Sequence, residues 1–193
     1  DLCENVLKDG SMAATGFVPS QLSKSPAGKD FRDDADKYVS YDQKKAQEYL
    51  DAAKKELGTD TITIDLLYGT DESPMDTMAE YLQGSFTKLK GLKVNMVATV
   101  KKDRIYNREA NGNFQVVCTR WGPDYADPTT YLNLALTDNS NNYGKWENAQ
   151  YNSLLKQAQN ETDVNKRWNE LLEAEKVMMD DMPNIPVVQT GTA

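Results

Sequence analysis

Over residues 42–57, Ala46, Tyr49, Leu50, Ala53 and Leu57 recur at i, i+3 and i+4 spacing. That is the period of a helix with one apolar face, and Gly58 supplies its stop. Residues 61–68 then alternate apolar and polar, which is the period of a strand. Residues 69–73 form a turn, with Ser73 placed to cap the next helix and Pro74 to fill its first position. That helix runs to about Lys90, turns Met75, Met78, Ala79, Leu82, Phe86 and Leu89 inward, and stops at Gly91. Leu92, Val94, Met96, Ala98 and Val100 alternate strictly and predict a second strand. Strand, four-turn helix, strand is a βαβ unit, so the two strands are expected to run parallel.

A short helix over 103–110 leads through Asn111-Gly112-Asn113 to a third strand at 114–118. A helix is expected at 130–136, then a solvated polar loop at 138–142. The next helix, around 149–159, carries Leu154, Leu155 and Ala158. A longer one, capped by Asp163 and ended by Pro183, carries Val164, Trp168, Leu171, Leu172, Met178 and Met179. Residues 185–188 read as an edge strand, because Pro186 suits no central one. Residues 11–41 are rich in Ser, Pro, Gly, Lys and Asp and predict a long ordered loop anchored by Phe17, Val18 and Phe31. The pattern predicts an α/β fold: a single domain over 1–193, with a mixed sheet of three or more strands, a βαβ unit within it and helices packed on it. Residues 1–10 read as the last turns of a helix stopped by Gly10, and with no initiator Met they imply a piece of a longer protein.

Composition narrows the chemistry. A net charge of −8 without a basic stripe leaves no footprint for nucleic acid. The chain has no histidine, which removes Ser-His-Asp and Cys-His catalysis and His-based zinc sites. No metal or other cofactor is expected. Cys3 and Cys118 belong to no CxxC; the count permits a disulfide, but two buried thiols acting as small hydrophobes is the simpler reading. The methionines fall at helical spacing and read as core filling. No apolar run reaches the roughly 20 residues of a membrane span.

One stretch stands apart: Arg120-Trp121-Gly122-Pro123-Asp124-Tyr125-Ala126-Asp127-Pro128-Thr129-Thr130-Tyr131-Leu132. Neither a core strand nor a routine turn needs that mixture. It suits a ligand that is part cation and part apolar surface. Trp121 offers a large flat face and one donor, and its neighbours Arg120, Gly122 and Pro123 argue against deep burial. Gly122 lets another backbone approach, and an exposed strand end can pair with an extended peptide. A cleft carboxylate is the natural partner of an ammonium, a role given to Asp124. Asp127, followed by Pro128, reads as a residue that shapes the turn into the next helix. Two carboxylates three apart also fit the acid and base of a glycosidase or another hydrolase, so that alternative stands.

Together with Gly112-Asn113-Phe114, the run from Trp121 to Thr129, Leu132 and Asp138-Asn139-Ser140-Asn141-Asn142-Tyr143, the chain resembles the C-terminal lobe of the oligopeptide-binding proteins of ABC importers, the family-5 extracellular solute-binding proteins. The earlier stretches Asp9-Gly10-Ser11 and Gly16-Phe17-Val18-Pro19 also fit. The resemblance implies a non-enzymatic, two-lobed, periplasmic-binding-protein-like parent that closes on an oligopeptide and delivers it to a membrane permease. The N-terminal lobe of the same chain would lie outside the present sequence. It implies Asp124 as the partner of the peptide ammonium, main-chain pairing at Trp121 and Gly122, and further ligand contacts from Pro123 and Tyr125. Some members carry an Arg where this chain has Cys118; Arg120, two positions on, is its candidate substitute. It implies an extracellular location, a lipoprotein on a Gram-positive surface or a periplasmic protein. Nickel, haem or opine binding and peptide-signal sensing are alternatives within the same family.

Overall fold

The computed structural model describes residues 1–191; the last two residues of the expected 1–193 span lie outside the described residues. In chain order, a π-helical turn at Leu2–Leu7 is followed by β1 (Met12–Ala13), α1 (Phe31–Asp34), α2 (Gln43–Leu57), β2 (Ile62–Gly69), α3 (Met75–Phe86) and β3 (Leu92–Thr99). Then come α4 (Lys101–Asp103), continued by a π-helix at Arg104–Glu109, β4 (Val116–Val117), α5 (Thr129–Leu132) with a 3₁₀ turn at Asn133–Ala135, α6 (Ala149–Asn160), α7 (Val164–Asp181) and β5 (Val188–Gln189). The chain packs as two compact units: Asp1–Lys8 with Tyr41–Arg120, and Asp9–Ser40 with Trp121 onwards.

The first unit is the βαβ unit and its extension. β2 is central in a parallel sheet of order β3-β2-β4, pairing with β3 from Ile62↔Leu92 to Gly69↔Thr99. Leu66, Met75, Ala79, Val94 and Cys118 form the core between the sheet and α3. β4 is shorter than the expected strand, and the cause is local. The Asp65 N–H donates to the Gln115 side chain at 2.7 Å, so that side chain takes the place of a main-chain acceptor. Pairing with β2 is confined to Leu66↔Val116 and Leu67↔Val117, with the Cys118 N–H donating to the Leu67 carbonyl at 2.8 Å.

Several ends differ from the sequence reading. Ser73 does not cap α3; the Met75 N–H donates to the Glu72 carbonyl at 2.7 Å instead. α3 gives way after Phe86 to tighter turns, with Lys88 and Leu89 N–H groups bonded three residues back. The first helical turn stops at Lys8, which is left-handed at φ 53, rather than at Gly10. α2 forms as expected, capped by Asp42 and ended by left-handed Gly58, yet buries none of its residues, and Tyr49 and Leu57 are exposed. It docks through polar groups: Gln47 bonds both the N–H and the carbonyl of Lys90, and Lys54 donates to that carbonyl as well.

The second unit is built on the α6–α7 pair. Tyr151, Leu155, Trp168, Leu171 and Met178 are buried between these helices, with Val18 and Phe31 from the long loop and Leu132 from α5. Phe31 packs edge-on against Trp168 at 5.2 Å, and the Trp168 indole N–H donates to Asp34 at 3.0 Å. Glu175 of α7 is fully buried; it accepts from the Val18 N–H at 2.8 Å and pairs with Arg32. These contacts give the loop its order. β1 and β5 pair antiparallel, Met12↔Gln189 and Ala13↔Val188. The loop expected to be solvated is tied down by Asn142, which is buried and bonds to Leu136 and to both main-chain groups of Trp146. Val164, expected to face inward, is exposed.

Candidate functional site

In the first unit the carboxyl ends of the three parallel strands lie together, with β3 on one edge of β2 and β4 on the other. Such a reversal of strand order is where open α/β sheets bind ligands. This end is heavily cross-tied. The Thr70 N–H donates to the Thr99 carbonyl at 2.8 Å, and the Lys101 N–H donates to Asp71 at 2.6 Å. Beneath lies an ionic cluster that the sequence reading missed. Arg104, with its side chain 2% exposed, donates to Glu72 at 2.7 and 3.1 Å, to Thr119 Oγ1 at 2.8 Å, and pairs with Glu109. Arg104 and Glu109 stand five apart, neighbours on a π-helix but not on an α-helix. Helical spacing rules therefore give no signal for the pair. Gly69 makes room for the cluster, since a Cβ there would come within 2.6 Å of a Glu72 oxygen. Burial raises the Glu109 carboxyl, and Arg104 only partly offsets that.

Cys118 sits at the end of β4, where burial pushes its thiol up to about 11 against a smaller opposing pull from Arg104. It is a packed thiol, not a reactive thiolate. Thr119 and Arg120 follow and are exposed. The Arg120 guanidinium makes a long contact, 3.5 Å, to the Ser73 carbonyl.

Trp121, Gly122, Pro123, Asp124 and Tyr125 form one surface segment of the second unit, whereas Arg120 packs with the first. The segment folds back on α5. The Asp124 N–H donates to Thr130 Oγ1 at 2.9 Å, and the Tyr131 hydroxyl donates to the Trp121 carbonyl at 3.3 Å. Trp121 is 40% exposed and Tyr125 49%, so Trp121 is no core residue. A Cβ built on Gly122 would meet nothing within 4 Å, so no contact within the described chain demands a glycine there.

The two aspartates part company. Asp127 is engaged on every side: Arg167 grips it with two bonds of 2.9 Å, and Thr129 donates its N–H at 3.0 Å and its hydroxyl at 2.6 Å. Burial pushes this carboxyl up, but the bonds from Arg167 and Thr129 outweigh it and hold the group below the usual aspartate range. A carboxylate held ionised and fully bonded is a poor proton donor, which weakens the hydrolase alternative. The Asp124 carboxylate is exposed and has no hydrogen-bond or ion-pair partner among the described residues. Among those residues no group of three or more Cys, Asp or Glu is arranged to hold a metal ion. A depression of about 240 Å³ on the other face of the sheet, lined by Asp65, Leu67, Val97, Arg108, Asn113, Phe114 and Gln115, contains none of the candidate residues.

The model of the family described as "Bacterial extracellular solute-binding proteins, family 5 Middle" matches residues 1–143. The chain belongs to this family. Among relatives of family 5, it is 39% identical over 156 residues to the dipeptide-binding protein of Lactococcus lactis subsp. cremoris strain MG1363, covering 80% of this chain and 28% of that protein. It is also similar to a solved structure of a peptide ABC transporter, peptide-binding protein, at TM-score 0.91 and 40% identity, covering 98% of this chain and 85% of that one. Listeria monocytogenes OppA bound to peptide matches at TM-score 0.87 and 33% identity, over 97% of this chain and 36% of that one. The chain spans about a third of the length of the first curated relatives it matches, from 28% to 34%. The expected α/β class, with its parallel βαβ unit, is the fold of these family 5 proteins over the matched span. No helix among the described residues is long and apolar enough to cross a membrane.

Proposed function

We propose that this chain is most of the C-terminal, ligand-binding lobe of a longer two-lobed protein, and that the parent captures oligopeptides outside the cell and hands them to the membrane permease of an ABC importer. The observation that carries the reading is the contrast between neighbouring carboxylates. Asp127 is consumed by Arg167 and Thr129, while Asp124 is left exposed and unpartnered beside Trp121 and Tyr125. In this reading Asp124 receives the α-ammonium of the peptide through a charge-assisted hydrogen bond. Main-chain groups at Trp121 and Gly122 pair with the extended ligand, which gives affinity without reading side chains. Pro123 and Tyr125 line the approach. The parent performs no chemistry on its ligand. A cell-surface lipoprotein of a Gram-positive bacterium fits the likeness to the Lactococcus and Listeria proteins.

The test is calorimetric titration of the full-length parent with a mixed pool of tetra- to octapeptides, against the same pool N-acetylated. The expected result is tight binding of the free pool that acetylation abolishes. Equal binding of both pools would remove the role given to Asp124. Binding of neither, in protein stripped of co-purified ligand, would overturn the peptide reading in favour of another solute.

A further inference from the structure

The ionic cluster at the carboxyl end of the sheet is a costly way to gain stability. Two carboxylates share one guanidinium, and the side chains of Glu72, Arg104 and Glu109 are 3%, 2% and 1% exposed. Buried ion pairs lose so much solvation that well-packed apolar replacements are often as stable or more so. Here the arrangement is also incomplete: Glu109 Oε2 is buried with no hydrogen-bond partner. The Glu72 oxygen not bonded to Arg104 meets only the Lys101 ammonium, at 3.4 Å. Yet the geometry is specific. The guanidinium contacts the turn after β2 through Glu72, its own π-helix through Glu109, and the exit of β4 through Thr119. Thr119 is otherwise an exposed residue beyond the end of a two-residue strand. A short strand holds its exit weakly, and the next residues are the ones assigned to ligand pairing.

We infer that Arg104 is a positioning residue for ligand binding: clamped by Glu72 and Glu109, it fixes Thr119 through the threonine hydroxyl and so sets the main chain of the 119–120 segment that leads into the peptide-pairing stretch. This rests on the function proposed above and deepens it. The clamp holds an exposed strand exit in the one conformation that an incoming extended ligand can pair with. Ordering that would otherwise be required at binding is done in advance.

The clean probe is Thr119→Val in the full-length parent, because it removes the hydroxyl and leaves the Glu72–Arg104–Glu109 contacts in place. Thr119→Ser restores the hydroxyl. Wild-type binding of the free peptide pool tests the underlying function separately; if it is absent, that reading fails before the positioning role is reached. Given wild-type binding, Thr119→Val is expected to weaken it several-fold with an unchanged melting temperature, and Thr119→Ser to recover it. The loss should act through main-chain pairing. Across a series of peptides each N-methylated at one amide, the effect of Thr119→Val should vanish for at least one member. Wild-type affinity in Thr119→Val, or a loss that Thr119→Ser does not restore, would overturn the inference. So would a loss uniform across the methylated series, which would mark a merely structural role.

Discussion

Arg32, largely shielded from solvent, and Arg104, fully buried, are both paired with glutamate, one in each packing unit. Arg32 belongs to the second unit. Its partner Glu175 lies within the apolar core of α7, and it also accepts from the Val18 N–H, so the pair pins a long polar loop to a helix. Arg104 belongs to the first unit and lies at the ends of strands, where it touches three segments. The same charge pair thus does different work according to what surrounds it. In a core that the loop enters with Val18 and Phe31, it adds attachment. At the rim of a sheet, it supplies shape.

The largest effect that would break this comparison is expected at Glu175. Glu175→Ala leaves the largely shielded Arg32 without its counter-charge, which should cost about 2–4 kcal/mol of unfolding free energy. Urea denaturation of the chain measures it, and a cost under about 1 kcal/mol would mean the pair is not the loop's anchor.

Asp124→Asn comes next and should show in affinity alone. Losing a charge-assisted bond worth about 1.5–3 kcal/mol weakens peptide binding by the full-length parent roughly 10- to 100-fold. Its stability should shift by less than about 0.5 kcal/mol, because the exposed carboxylate makes no hydrogen bond or ion pair among the described residues. Loss of stability with unchanged affinity would reverse the roles assigned to Asp124 and Asp127.

Asp127→Asn should do the opposite, lowering stability by about 1 kcal/mol with a small effect on affinity. It also carries a pH signature. The folded carboxyl titrates below its ordinary value of 3.8, so its contribution is present above that pH and is lost as pH falls through the folded value. Acid titration of stability should therefore be shallower in Asp127→Asn than in wild type below about pH 4. Equal acid limbs would mean that Arg167 does not hold the group as described. The smallest expected effect is that of Tyr131→Phe, which removes the 3.3 Å bond to the Trp121 carbonyl and should cost about 0.5–1 kcal/mol in thermal or chemical unfolding.

The regular elements were legible wherever burial follows a period. The βαβ unit, the Asp163 cap and the apolar faces of α6 and α7 all follow from spacing. Tyr49 and Leu57 mislead because α2 has a helical apolar period but meets its unit through hydrogen bonds to Lys90. The length of β4 was not legible, since nothing in the pattern reveals that Gln115 would replace a main-chain acceptor. At the site, the composition of residues 120–125 singled out the segment, and Asp-Pro marked Asp127 as a turn residue. Arg167 was invisible as its partner because the two are forty positions apart. The Arg104 cluster escaped for a related reason: charged residues read as surface, and only a π-turn brings Arg104 and Glu109 together.

The two-residue length of β4 has a further consequence. Among the described residues it lies at one edge of its sheet, and a sheet edge is a template on which other chains can add. The hazard of such an edge is capturing a strand from another copy of the same chain. By spending a side chain on the Asp65 N–H and ending the ladder after two residues, the sheet presents too little edge for a full-length strand to register against. Brevity at this edge is thereby a barrier to self-association in crowded surroundings.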